Sequence, residues 1–156
     1  MKIAVVSDTH GAVWRLESLK NIIDECDFLF FLGDGETDIK RLGGLFKAQI
    51  VAVAGNNDFR GFYEKEVVEE VCGVKFLLPH GHAYGVNAGM DRLLSRAKEK
   101  ECRVALYGHT HRAIVEERDG ITVMNPGSLG YPDDGRPSYG IIECDKNGIF
   151  AKIAYI

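Results

Sequence analysis

Short apolar runs alternate with polar loops along most of this chain. Ile3-Ala4-Val5-Val6, Phe28-Leu29-Phe30-Phe31-Leu32 and Ile50-Val51-Ala52-Val53-Ala54 are continuous apolar stretches. Runs of that length, without polar alternation, predict strands covered on both faces, as in a parallel sheet. Between the first two, Val13, Trp14, Leu16, Leu19, Ile22 and Ile23 recur near helical spacing. They predict an amphipathic helix over about residues 13–25, with Trp14 in the core. A shorter helix between the second and third strands completes a βαβ rhythm.

Val74 to Leu78 and Val104 to Tyr107 predict two more strands. Between them, Leu93, Leu94 and Ala97 stand among charges from Met90 to Lys100, a helix with one solvated face. The last third changes character. Ala113 to Arg118 and Ile121 to Met124 flank Asp119-Gly120, a strong hairpin signal, and Tyr139 to Cys144 and Ile149 to Ile153 flank a second turn at 145–148. Phe59 to Glu66 and Ala83 to Met90 read as loops. With no repeat, linker or low-complexity tract, residues 1–156 read as a single domain of α/β class. Its simplest architecture is two packed mixed β-sheets flanked by helices.

The polar loops follow the apolar runs and carry all five histidines: Asp8-Thr9-His10, Gly33-Asp34, Gly55-Asn56-Asn57-Asp58, His80-Gly81-His82 and Gly108-His109-Thr110-His111. Each alone is an ordinary polar turn. Asp8 could cap the next helix, and the asparagines could tolerate a positive φ. Together they put Asp, Asn or His at five strand ends, where an open α/β sheet places its active site. Carboxylate, amide and imidazole suit Mn²⁺, Fe²⁺, Zn²⁺ or Co²⁺, and no cysteine lies in any loop to make a structural zinc site. Seven ligands are too many for one ion and fit two, with one carboxylate shared.

Composition narrows the partners. The formal net charge is −4 with no Lys/Arg cluster, which argues against an extended nucleic-acid surface. Cys26, Cys72, Cys102 and Cys144 are widely spaced, giving no disulfide framework and fitting a reducing cytoplasm. Only four apolar residues stand between Met1-Lys2 and Ser7-Asp8, too few for a signal-peptide core, and nothing approaches the ~20 apolar residues of a membrane span. The expectation is a cytoplasmic protein without a membrane partner; self-association into a homo-oligomer stays open.

Asp-x-His, Gly-Asp, Gly-Asn-x-Asp, His and Gly-His-x-His, in this order over nearly the whole chain, resemble the calcineurin-like metallophosphoesterases. The short length and the Asn125-Pro126-Gly127-Ser128 loop resemble the small prokaryotic YfcE-like phosphodiesterases in particular. The resemblance implies a four-layer α-β-β-α fold and a phosphodiesterase acting on a small phosphoester with two divalent ions. Manganese is the first candidate, with nickel, cobalt, iron or zinc as alternatives. By this likeness Asp8, His10 and His111 hold one ion, Asn56, His80 and His109 hold the other, and Asp34 bridges them. Asn56, Asp34 and His10 are the expected catalytic residues. Hydroxide bridging ions ~3.5–4 Å apart would attack phosphorus in line with the leaving oxygen, at a site made net positive inside an acidic protein. A retromer subunit shares this family fold after losing much of its metal site, so a protein-interaction scaffold is the competing reading. Here every matching ligand position is filled.

One position departs from the broad family pattern, which reads Gly-Asn-His at the third loop. Asn57 stands there and cannot exchange a proton, which implies a preference for esters with good leaving groups. Asn57, Asp58 and His82 are candidates to support the ligands or touch substrate. Asp38 is expected in a solvated first turn of helix, and Arg60, Arg112 and Arg136 as scattered surface charges. Asn125 to Ser128 either lines the pocket or shapes a turn.

Overall fold

A computed structural model describes residues 1–156. In chain order its elements are β1 (Lys2–Val6), α1 (Val13–Ser18), α2 (Lys20–Ile23), β2 (Phe28–Phe31), α3 (Glu36–Leu42), β3 (Gln49–Ala52), β4 (Glu66–Val71), β5 (Val74–Pro79), α4 (Asp91–Glu99), β6 (Val104–Leu106), β7 (Ala113–Arg118), β8 (Ile121–Pro126), β9 (Ser138–Asp145) and β10 (Gly148–Tyr155). They form two five-stranded mixed sheets, ordered β10-β9-β1-β2-β3 and β4-β5-β6-β8-β7. β1, β2 and β3 run parallel, as do β5, β6 and β8. Of the two C-terminal hairpins, one sets β7 antiparallel to β8 at the edge of the second sheet, and the other sets β9 antiparallel to β1 and β10 in the first.

The period of two along each strand sorts the core into three layers. Ile3 and Val5 of β1 join Phe30, Phe76, Leu78, Val104, Leu106 and Met124 between the two sheets. Ala4 and Val6, on the other face, pack with Leu16, Leu19, Ile23 and Ile39 of the helices. On the far side of the second sheet, Leu77, Ala105 and Val123 meet Leu93, Leu94 and Ala97 of α4. The continuous apolar runs therefore mark strands buried on both faces, as expected, and the layering is helix, sheet, sheet, helix.

Two expectations are corrected and one strand is added. The helix across 13–25 is two short helices broken at Leu19, where ψ opens to 0° and the N–H reaches back only to Leu16. Trp14 is not core: it is 63% exposed, because Leu16, Leu19 and Ile23 take the buried face and a residue two before Leu16 points away from it. The loop expected from Phe59 runs to Lys65, and a strand not expected from the sequence, β4, follows it; its Glu66-Val-Val-Glu-Glu-Val71 sequence reads as polar because it lies at a sheet edge. Its turn to β5 is Cys72-Gly73, both at positive φ, the geometry of a two-residue hairpin.

β4 is tied to α4 by Glu66, which accepts from Arg96 Nε at 3.0 Å and Nη2 at 2.7 Å and from the Tyr84 hydroxyl. Burial raises the Glu66 pKa, but the bonds from Arg96 and Tyr84 and the arginine charge outweigh it and lower it overall. A carboxyl depressed in the folded state adds stability above its unfolded pKa and loses it as pH falls through the folded one. Glu66→Gln is thus expected to lower Tm at neutral pH, with the deficit shrinking from about pH 5 to pH 3 in thermal melts.

Candidate metal centre

The parallel strands of both sheets end at one edge of the sandwich, and the loops that leave them are stitched together. Asp8 N–H donates to Gly33 O at 2.9 Å, His10 N–H to Asp34 O at 3.1 Å and Gly108 N–H to His80 O at 2.8 Å. His109 N–H crosses between the sheets to Asp8 Oδ2 at 3.0 Å. Such closeness requires bare backbone on one side. A Cβ on Gly55 would lie 2.0 Å from Asp34 Oδ1, and one on Gly108 would lie 2.5 Å from Asp8 Oδ2.

Five side-chain atoms converge there. Asp8 Oδ1 lies 3.1 Å from His111 Nε2, 3.6 Å from His10 Nε2 and 3.8 Å from His80 Nε2. Asp34 Oδ2 lies 3.7 Å from His10 Nε2 and 3.5 Å from His80 Nε2, so it too faces both histidines. Asp8, His10 and His111 form one group able to hold a cation, and Asp8, Asp34 and His80 a second. Asn56 is exposed, yet its Oδ1 reaches His80 Nε2 at 3.2 Å. Among the expected histidine ligands only His109 joins neither group. Its Nε2 accepts from Asn87 Nδ2 at 3.1 Å, while its ring stands 5.2 Å from that of His80.

The donor set fits divalent metal. His80 Nδ1 and His111 Nδ1 each lie 2.6 Å from a carbonyl, of Leu32 and Tyr131 respectively. A carbonyl only accepts, so both Nδ1 atoms carry a proton and each Nε2 faces carboxylate oxygen, where in the neutral ring its lone pair can ligate a metal. The carboxylates and imidazoles are packed closely enough to shift one another. Asp8 is pushed up by burial, yet bonds from His10 and His111, the His80 charge and the Ser7 hydroxyl bring it down to about 2. Asp34 is likewise raised by burial and lowered further by His80 and Asn57. His80 is lowered by burial and raised more by Asp34 and Asp8, and His111 is raised chiefly by Asp8. His82 and His109 are lowered by burial and by the His80 charge.

Backbone strain marks the same residues. Eight non-glycine residues have positive φ, and five of them are Asp8, His10, Asp34, His109 and His111. Each such conformation costs on the order of 1 kcal/mol, and strain of this kind concentrates at functional sites. Asp and His tolerate it better than most residues, which eases the placement without removing the cost.

The candidates around the core resolve unevenly. Asp58 accepts four backbone N–H groups, from Asp34, Gly35, Glu36 and Gly55, at 2.7–2.9 Å, and so binds the second loop to the third. Asn57 donates to Asp34 through both its backbone N–H, at 2.8 Å, and its side-chain amide, at 2.6 Å. His82 packs 5.5 Å from the His80 ring, with a buried Nδ1 that no protein group satisfies. Asp38 is not solvated: it is buried and accepts from the Thr9 hydroxyl and from Gly11 N–H, fixing the first loop. Asn125 supports the fifth loop from below, donating to Gly108 O and Thr110 Oγ1, and Ser128 bonds Asp8 O. Arg112 and Arg136 are paired with Asp133 and Asp134. Sequence reasoning missed Asn87, the Tyr131 carbonyl and Glu36, which is buried and accepts the backbone N–H groups of Arg60 and Phe62. Only Asn87, between Gly85 and Gly89, stands in a segment whose composition hints at a shaped loop.

Comparison with known proteins agrees with this geometry. Residues 1–147 match the calcineurin-like phosphoesterase superfamily domain. A probable metallophosphoesterase of Bacillus subtilis, YsnB, is 30% identical over 94% of this chain and 86% of its own length. The Escherichia coli phosphodiesterase YfcE is 26% identical over 97% of this chain and 92% of its own. A solved archaeal phosphodiesterase superposes with a TM-score of 0.81 at 27% identity, covering 99% of this chain and 100% of that one. The Vps29 of Entamoeba histolytica, solved with zinc, shares the fold at a TM-score of 0.77 and 19% identity, covering 99% of each chain. The match over residues 1–147 and the 30% identity to YsnB show that the chain belongs to the calcineurin-like metallophosphoesterase superfamily.

Proposed function

We propose that the protein is a phosphodiesterase that hydrolyses small phosphoesters with two divalent ions held at the strand ends. The observation carrying this reading is the convergence of Asp8, Asp34, His10, His80 and His111, with His80 and His111 anchored through Nδ1 so that both Nε2 atoms are turned inward. Asp8, His10 and His111 would hold one ion, and Asn56, His80 and His109 the other, with Asp34 between them. For His109 this requires release of the Asn87 amide. When bound, such ions neutralise phosphoryl charge and make hydroxide available near neutral pH. Manganese is the first choice, since hard oxygen and imidazole donors suit it, and availability selects among nickel, cobalt, iron and zinc.

The chain's own groups do the rest. Asn57 places an amide against Asp34 and can orient a phosphoryl oxygen, but it cannot give a proton to a leaving oxygen. His82 stands beside His80 with a buried Nδ1 that has no protein partner. Activated aryl esters are therefore expected to turn over well and alkyl esters poorly. Asn57→His should narrow that gap in kcat; an unchanged gap assigns leaving-group protonation to His10, His82 or water.

The Vps29 likeness favours a second reading, a protein-interaction scaffold with weak or no catalysis. Stripping the metal and adding back Mn²⁺, Ni²⁺, Co²⁺, Zn²⁺ or Mg²⁺ separately tests the choice, with an aryl phosphodiester compared against its monoester. Metal-dependent turnover favouring the diester supports the enzyme, and no turnover with any ion supports the scaffold.

A further inference from the structure

Trp14 has no packing role to explain it. It is the only tryptophan in the chain and 63% exposed, one residue after the start of a helix whose buried face belongs to Leu16. Its neighbour Arg15 sets its position. The Arg15 guanidinium carbon stands 4.8 Å from the Trp14 ring centroid, and Arg15 Nη1 donates to Leu129 O at 2.5 Å and Gly130 O at 3.0 Å. No carboxylate pairs with this arginine. It spans from the helix to the loop that carries Tyr131, a second exposed aromatic at 67%. That loop is itself anchored, by Gly130 N–H on Asp8 O and Tyr131 N–H on Ser128 Oγ.

Trp14, Arg15 and Tyr131 line one cleft of about 280 Å³ together with His10, Gly11 and Gly130. His10 makes the cleft continuous with the metal centre, and its ring stands 5.5 Å from that of Tyr131. A complete small-molecule pocket takes roughly 300–1,000 Å³, so this one suits a single substituent attached to a group bound elsewhere. Its chemistry is two aromatic faces and one cation not committed to a carboxylate. Exposed aromatic rings held in place beside a phosphoryl-binding centre are stacking platforms, since any planar ring offers a π-face.

We propose that the Trp14–Tyr131 cleft is a subsite for a planar aromatic substituent of the phosphoester, a nucleobase or an aryl group. This rests on the phosphoesterase reading for the group bound at His10. The phosphoryl end is fixed at the strand ends, and the ring lies against Trp14 and Tyr131. The subsite discriminates ring-bearing esters from alkyl ones through binding, whereas Asn57 acts on the leaving group.

Because Trp14 is the only tryptophan, fluorescence excited beyond tyrosine absorption reports on the cleft alone. Titrations with adenosine monophosphate and phenyl phosphate, corrected for inner-filter absorption, are compared with ribose 5-phosphate and inorganic phosphate. Saturable quenching by one or both ring-bearing ligands, and none by the ringless pair, is expected; the ring that binds more tightly identifies the source. Trp14→Ala should raise KM for bis(p-nitrophenyl) phosphate roughly tenfold, the range of one aromatic stack, with a much smaller change in kcat, and Trp14→Phe should recover most of it. Equal quenching by ringless phosphates, no quenching by either ring-bearing ligand, or a Trp14→Ala KM within about twofold of the parent overturns the subsite. If the parent turns over no ester with any metal, the phosphodiesterase reading fails by itself, and the quenching comparison still decides the cleft.

Discussion

Asp34→Asn is expected to reduce metal-dependent phosphodiester hydrolysis by roughly a thousandfold, about 4 kcal/mol of lost transition-state stabilisation. Asp34 Oδ2 is the oxygen that faces both His10 and His80, and it is almost wholly shielded from solvent. An amide in its place offers one oxygen instead of two and turns donor hydrogens toward groups that need an acceptor. Some stability should go with it. Against the effect of burial, His80 and Asn57 hold the Asp34 carboxyl below its usual range, so the fold favours the ionised form and its loss costs stability at neutral pH. Melts of the stripped variant should show a modest drop in Tm with a cooperative transition still above the assay temperature. A variant that is inactive because it is unfolded would show no such transition.

Asp58→Ala has the largest expected effect on the fold around the site. One carboxylate accepts four backbone N–H groups from two loops, and charge-assisted bonds of this kind contribute about 1.5–3 kcal/mol each, short of additively. Losing all four should cost about 3 kcal/mol in denaturant unfolding and leave the Asp34 loop tied to the third loop and its continuation only through Asn57 and Glu36. Metal affinity should fall with it, although Asp58 points at backbone and not at the ligand cluster. Wild-type metal affinity in a destabilised Asp58→Ala protein would show that the loop is held by other contacts.

The sequence disclosed the layers because both sheets are covered twice. Strands with apolar residues on both faces leave continuous runs, and β1, β2, β5 and β6 are legible for that reason. β4 was not, since an edge strand needs only one buried face and carries Glu66, Glu69 and Glu70 among its valines. Trp14 was misread because its spacing fits a helical stripe while Leu16 and Leu19 already fill the buried face. The ligand candidates were legible as residue types at strand ends. The groups that hold them were not: Asp38, Glu36 and Asn87 act through contacts 20 or more residues away in the chain, and the Tyr131 carbonyl leaves no side-chain signal at all. The tautomers of His80 and His111 depend on carbonyls 48 and 20 residues away, which only the packed structure brings to hand.

Manganese binding to the stripped protein, followed by electron paramagnetic resonance, tests the two-ion centre most directly. Two Mn²⁺ per chain, with a spin-coupled spectrum and at most one ion in Asp34→Asn, is the predicted result. A single uncoupled ion per chain, or none, in the parent protein would contradict the dinuclear account.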